Sequence, residues 1–409
     1  MNTDSIETII VGGGQAGLAA SYCLQQHGRH HLVLEGADHP APAWRQRWDS
    51  FTPVTPNWCF QMPGAAYAGD GPDSFMPRDD ISAFFERYVA DHALPVRYGV
   101  RVEAVELLAG QPGYRVQTSA GDLAATNVVI ATGLFQRPKI PGFAAGLPAK
   151  ILQLHSGQYR RPDDLPPGAV LVVGSGQSGC QIAEELYKSG RRVFLSIGGA
   201  GRGPRRYRGH DIFRWLDWTG FLDRKPDMLP SPKARFAPNP HVSGAGGGHD
   251  LNLHQFARDG VTLLGHVRGG DDATLAVAAD RNESLAKSDQ ITAMLVKMID
   301  NYIAKTGMDA PEERLPEWRD GYEGDEMTAL NLATAGISSV IWSAGYSFDF
   351  SLVRLPVLDG DGFPITQRGV TAFHGLYFLG LPWLYTQKSG LLMGVGADAA
   401  FVAGHIAAR

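Results

Sequence analysis

The feature that most constrains this chain is a duplication. Ile9–Gly17 reads IIVGGGQAG, and 162 positions later Leu171–Gly179 reads LVVGSGQSG. In each, an apolar run enters G-x-G-x-x-G, carried by Gly12, Gly14 and Gly17 in the first and by Gly174, Gly176 and Gly179 in the second. Each continues into a helical pattern, LAASYCLQQHG or CQIAEELYKSG, that stops at Gly28 or Gly190. Each then re-enters a strand, Leu32–Glu35 or Val193–Ser196. A single motif of this kind is weak, but two in register predict two β-α-β units in one chain. The first glycine makes a tight turn, the second admits a pyrophosphate to the backbone, and the third lets helix and strand pack closely. The helix N-terminus then faces the anion. The expected fold class is α/β with two dinucleotide-binding Rossmann-like domains.

The two units differ where the second strand ends. Glu35 can accept hydrogen bonds from a ribose diol, whereas the matching position of the second unit is Ile197. Just beyond it lies GGAGRGPRRYRG, with Arg202, Arg205, Arg206 and Arg208, a concentration suited to a ribose 2′-phosphate. A solvated basic loop is the competing reading. FAD is therefore expected on Gly12, Gly14, Gln15, Ala16, Gly17 and Glu35, and NADPH on Gly174, Ser175, Gly176, Gln177, Ser178, Gly179, Arg202, Arg205 and Arg206. Further FAD contacts are expected from Trp44 and Arg45, from Val102 in VRVEAVE, from Ala131, Thr132 and Gly133 in VVIATG, and from Gly380 and Gln387.

The expected layout is a discontinuous FAD domain, 1–160 and 337–409, with the NADPH domain 161–336 inserted. The chain is read as returning to the first domain through VIWSAGY (Val340–Tyr346) and GLYFLG (Gly375–Gly380). Apolar residues at helical spacing predict an extra packing helix near 283–306, which could equally serve a homodimer interface. Ser389–Ile406 is expected as a terminal helix aimed at the flavin. The loop SGAGGGHD lacks the Gly-Lys-Ser/Thr of a phosphate loop and is given no chemistry.

Composition removes several partners. At 409 residues the chain exceeds one ordinary core. A net charge of −5 gives no general attraction to nucleic acid or anionic lipid. No apolar run reaches a membrane span, and the acidic start fits neither a signal nor a transit peptide, so a cytoplasmic protein is expected. Cys23, Cys59 and Cys180 are far apart without C-x-x-C spacing, which excludes a dithiol centre and a zinc knuckle; no metal is expected.

With these motifs in hand, the sequence resembles the class B flavoprotein monooxygenases, the family of the flavin-containing and YUCCA-type enzymes. The likeness spans nearly the whole chain and rests on the two fingerprints, VVIATGLFQRPKIPGF (Val128–Phe143), LHSGQYRRP (Leu154–Pro162) and GLYFLGLPW. RWDSFTPVTPNW (Arg47–Trp58) and RYRG (Arg206–Gly209) make it look closest to a bacterial branch. The resemblance implies hydride transfer from NADPH to FAD, O2 activation as a flavin hydroperoxide, and oxygen transfer to a small substrate by N- or S-oxygenation or carbonyl oxidation.

Two departures stand out. Of the family's linking fingerprint, His155 and Tyr159 match, but Ala149 and Ile151 replace its phenylalanine and glycine. The resemblance ties His155 to domain coupling; a hinge histidine is the plain alternative. Val54 occupies the place of an asparagine that the family associates with the reacting flavin, leaving Thr52, Thr55 and Asn57 as nearby substitutes. Thr55, Asn57 and Lys388 are the catalytic candidates, with Trp383 and Tyr385 nearby. A flavin reductase serving another acceptor and a non-catalytic redox sensor are the competing functions.

Overall fold

A computed structural model describes residues 5–271 and 273–409. Its first unit is β1 (Ser5–Val11), α1 (Gln15–Gln26) and β2 (His31–Leu34), followed by α2 (Arg78–Asp91), β3 (Val102–Leu107), β4 (Tyr114–Thr118) and β5 (Leu123–Ile130). β1 lies between β2 and β5 in parallel register, Ile9 facing Leu32 on one side and Val128 on the other. Ile9, Ile10, Val33, Val128 and Val129 are fully buried because both faces of this sheet are covered. Each such side chain stabilises the fold by ~1.5–3 kcal/mol.

The second unit opens with β6 (Leu152–His155) and contains β7 (Ala169–Val173), α3 (Gln177–Lys188), β8 (Val193–Ser196), β9 (Thr262–Leu264), the long α4 (Arg281–Thr306) and β10 (Ile337–Trp342). The sheet runs β6-β10-β7-β8-β9, all parallel. This corrects the expected boundaries. Ser339 of β10 pairs with both Leu152 and Val170, so the strand containing Val340 completes the second sheet instead of returning to the first. Both β6 and β10, placed in the FAD domain by the 1–160 and 337–409 reading, belong to the inserted one. Their apolar faces are closed only inside that sheet.

The return is made by β11 (Leu376–Phe378), which pairs in parallel with the end of β5, and by α5 (Leu392–Ala407), packed on α1. The extra helix is present as α4, stopped by Gly307 in the left-handed region at φ +67°. It buries Leu295, Ile299 and Ile303 and leaves Met294 exposed. Among the described residues no helix is long and apolar enough to cross a membrane, and no group of side chains is arranged to hold a metal ion.

Candidate functional site

At the first turn, the space around each glycine separates two roles. A Cβ on Gly12 would fall 2.7 Å from the Ala131 carbonyl oxygen, and one on Gly17 would fall 1.9 Å from that of Gly12. These glycines are required by packing. A Cβ on Gly14 would meet open space, and α1 starts there with no side-chain cap. The Gln15, Ala16 and Gly17 end of the helix is therefore free to receive an anion. Buried Glu35 accepts from the amides of Gly13 at 2.7 Å and Ala37 at 2.8 Å, which fixes its carboxylate at the end of β2. Its remaining lone pairs suit a ribose diol. The Val100 amide donates to the Glu35 carbonyl, bringing Val102 two residues from the same corner.

The other expected FAD residues divide. Ala131–Gly133 closes over Gly12, and Gln136 Nε2 donates to Thr132 Oγ1 and the Gly133 carbonyl. Gly380 abuts Ala16, since a Cβ there would lie 2.3 Å from that of Ala16. The Gln15 side chain donates to the Gly390 carbonyl and accepts from Trp44 Nε1, joining three distant segments at the helix start. Arg45 is not among them: it is exposed and pairs with Glu86 at 3.1 Å. Gln387 turns toward Arg224 and Asn239, and the Lys388 ammonium pairs with Asp223 at 2.7 Å and Asp217 at 4.0 Å. Lys388 is thus neutralised and anchors the loop before α5.

The second turn repeats the first. A Cβ on Gly174 would lie 2.5 Å from the Ser343 carbonyl oxygen and one on Gly179 1.8 Å from that of Gly174, while Gly176 faces open space at the uncapped start of α3. Ser175 Oγ accepts from the Gly198 amide, tying this turn to the end of β8. Gln177 bonds both backbone groups of Val242, and half-buried Ser178 follows in the first turn of α3. Gly390, Val242 and Ser343 were not expected at these turns. Nothing local signals them, because each arrives from a distant part of the chain.

The arginine cluster is corrected. Arg205 is 1% exposed, bonds Asp211 through two nitrogens, donates to the Val54 carbonyl at 2.7 Å and lies over Phe75 and Phe213. It has no face left for a phosphate. Arg202 is buried and pairs with Asp289 at 3.3 Å beside a cleft of about 1130 Å³ under α4. Arg206 is exposed but donates to the carbonyls of Gly247 and Gly248, and Arg208 is held by Asp300. The basic groups nearest the end of β8 come from elsewhere. A Cβ on Gly198 would lie 3.1 Å from His266 Nε2, and one on Gly199 would lie 3.6 Å from the Lys287 side chain.

Between the two turns runs the segment 51–58. Gln181 of α3 donates to the Thr52 carbonyl at 3.4 Å, Arg205 to that of Val54, and Gly244 leaves room for the Pro53 carbonyl. The hydroxyl of Thr52 and the Oδ1 of Asn57 are buried without partners, while Asn57 Nδ2 donates to the Gly71 carbonyl. Thr55 is half-buried. Trp44, Phe51 and Phe60 pack alongside. All three cysteines are free and buried, and burial pushes their thiols up, Cys23 to about 11. No thiolate is poised here.

Buried His155 accepts from the Gly157 amide at Nδ1, so Nε2 carries the proton and donates to the Gly345 carbonyl at 3.0 Å. Its ring lies 4.6 Å from that of Tyr346, and burial lowers its pKa. A neutral imidazole thus ties the end of β6 to the returning connection at Gly345–Tyr346.

The residues present fit two dinucleotides, and comparisons with known proteins agree. The pyridine nucleotide-disulphide oxidoreductase family matches residues 9–211. A CzcO-like oxidoreductase of Geobacillus kaustophilus (strain HTA426) is 32% identical over 399 residues, covering 97% of each chain. Indole-3-pyruvate monooxygenase YUCCA1 of Oryza sativa subsp. japonica is 31% identical over 46% of this chain and 47% of its own. The fold of the flavin-containing monooxygenase of Stenotrophomonas maltophilia superposes with a TM-score of 0.66 at 20% identity, covering 99% of each chain. The structure of OTEMO in complex with FAD and NADP shares the fold with a TM-score of 0.58 at 14% identity, covering 100% of this chain and 86% of its own. The chain belongs to the family of the CzcO-like oxidoreductases.

Proposed function

We infer that the protein is an NADPH-dependent FAD monooxygenase that transfers one oxygen atom from O2 to a small organic substrate, by N- or S-oxygenation or carbonyl oxidation. One observation carries this reading: the polar atoms left without partners on segment 51–58, Thr52 Oγ1, Asn57 Oδ1 and Trp58 Nε1, lie on a stretch of chain held by Gln181 and Arg205 of the second unit and by the Arg78 amide of the first, which donates to the Phe51 carbonyl. An unmet buried polar group costs ~1–3 kcal/mol, so such atoms mark a place reserved for a bound partner. The buried thiols offer electrons no disulfide route.

When bound, FAD and NADPH supply hydride acceptance, hydride donation and reaction with O2. The chain's contribution is positioning and exclusion. The open start of α1 and Glu35 hold the first dinucleotide, and the open start of α3 holds the second. Trp44, Phe51 and Phe60 keep water out. The Thr52 hydroxyl has a proton to donate, as does the unpartnered Trp58 Nε1, whereas Asn57, with its NH2 donating to Gly71, offers an acceptor. Thr52 therefore takes precedence over Thr55 and Asn57 as the group that holds a proton beside the reacting oxygen. For selection of NADPH over NADH, Lys287 and His266 at the Gly198–Gly199 rim replace Arg205.

The test is product analysis under ¹⁸O2 with NADPH across small amines, sulfides and ketones. Label in a product supports the reading. NADPH consumption with a quinone acceptor and no label in any product would make the protein a reductase.

A further inference from the structure

Arg47 is half-buried and stands apart from other arginines drawn in from the surface. Arg202, Arg205 and Arg235 each pair with a carboxylate, and buried Arg281 donates to Asn282 and to the Gly324 carbonyl. No hydrogen bond or ion pair reaches the Arg47 guanidinium among the described residues, and its Nε is buried without a partner. The nearest acid along the chain, Asp49, is already held by Arg78 at 2.8 Å and Arg161 at 3.6 Å. Instead the guanidinium lies 5.5 Å from the ring centre of Phe51 and 5.4 Å from that of Phe135. Cation–π contact offsets part of the cost of burial, yet leaves the five N–H donors in the guanidinium plane unused.

Its surroundings say what reaches it. Phe135 is 64% exposed, so one wall of this slot is open. The Phe135 ring packs edge-on against Tyr346, which meets His155 edge-on in turn. Tyr346–Ser347 pairs with Arg137–Pro138, the two connections between the sheets. Three residues before Tyr346, Ser343 presses on Gly174 of the second nucleotide turn. A guanidinium fork with free donors at the seam between the units is built for a planar or tetrahedral oxyanion.

We propose that Arg47, clamped between Phe51 and Phe135, binds an oxyanion group that enters the cleft between the two nucleotide units. The group is either a phosphate of the second dinucleotide or a carboxylate of the substrate. Arg47 acts as a fork that fixes the orientation of that molecule, and Phe135 shields the ion pair from water. The proposal rests on the cleft being the reaction site, and its test uses binding alone.

The experiment is calorimetric titration of the FAD-loaded protein with NADP⁺ and, separately, with benzoate, for wild type, Arg47→Lys, Arg47→Met and the exposed-site control Arg87→Met. The Kd of one probe should rise about tenfold or more in Arg47→Met and by less in Arg47→Lys, which keeps the charge but loses the fork. A shift for NADP⁺ assigns the phosphate, and a shift for benzoate assigns the carboxylate. Kd values for both probes within about twofold of wild type in Arg47→Met would overturn the proposal. Should Arg47→Met fail to retain FAD, Arg47→Lys alone decides by the same two titrations. Label incorporation from O2 is scored separately, so failure of the monooxygenase reading leaves this result readable.

Discussion

Gln15 Nε2 donates to the carbonyl of Gly390 at 2.7 Å, across 375 positions of sequence. Its Oε1 meanwhile accepts from Trp44 at 3.2 Å. One amide thus locks the start of the first nucleotide helix to the segment leading into α5 and to an indole. Gln15→Ala removes both bonds beside the free amides, and FAD should dissociate about tenfold faster with little change in the far-UV spectrum. Unaltered FAD release in a fluorescence chase would show that this bridge has no part in retention.

The two kinds of glycine in the second turn predict opposite phenotypes. Gly176→Ala adds a methyl group to open space, so the melting temperature should hold while nicotinamide binding falls about tenfold or more. Gly179→Ala drives a Cβ to 1.8 Å from a backbone oxygen and should cost ~2 kcal/mol or more of stability. Thermal unfolding with parallel NADP⁺ titration separates them; equal binding losses at unchanged stability would refute the division of roles.

Arg205→Ala should act on folding. It leaves Asp211, 7% exposed, without its partner, a loss of ~3–5 kcal/mol in chemical denaturation. Lys287→Met should leave stability nearly unchanged, because its pair with Glu283 is exposed, and should lower the preference for NADPH over NADH about tenfold. The ratio of the two KM values checks this. A Lys287→Met enzyme with the wild-type ratio would remove Lys287 as the group that reads the 2′-phosphate.

Acid sensitivity is expected from His241, fully buried with Nε2 bonded to the Leu251 carbonyl, whose pKa burial lowers to about 4. The unfolded chain binds its proton near 6.5, so between these values the unfolded state holds more protons and stability rises with pH. The contribution is complete above about pH 6.5 and is lost as pH falls toward 4, amounting to ~3 kcal/mol. Denaturation of wild type and His241→Gln at pH 7 and at about pH 4.5 tests it: the gap between them should shrink in acid. A gap of constant size would place the acid sensitivity elsewhere.

The glycine turns, their helices and a carboxylate, Glu35, at the end of β2 were legible because each is a local demand: a positive φ, a close approach, a strand end. Val54 was also visible as a departure at the segment between the units. The insertion of β10 between β6 and β7 was not legible, since VIWSAGY satisfies a buried parallel strand in either sheet. Nor was the fate of the arginines. Asp211 stands six positions from Arg205, but only the fold turns the two side chains together and buries them, converting an apparent phosphate site into a structural pair. Arg47 went unremarked for the converse reason: a lone arginine in a sequence looks like any other until its missing carboxylate is seen.

The insertion of β10 also dictates how such a protein can be taken apart. A fragment cut at 161 and 336 lacks both β6 and β10, leaving the side of β7 away from β8 as a bare edge. An exchange of coenzyme units between relatives must therefore carry residues 152–342 as one piece. Its seams then fall in the crossing connections, so the Arg137–Pro138 and Tyr346–Ser347 pairing comes from one parent and His155 from the other, and the contact of His155 with Tyr346 has to be matched across the seam.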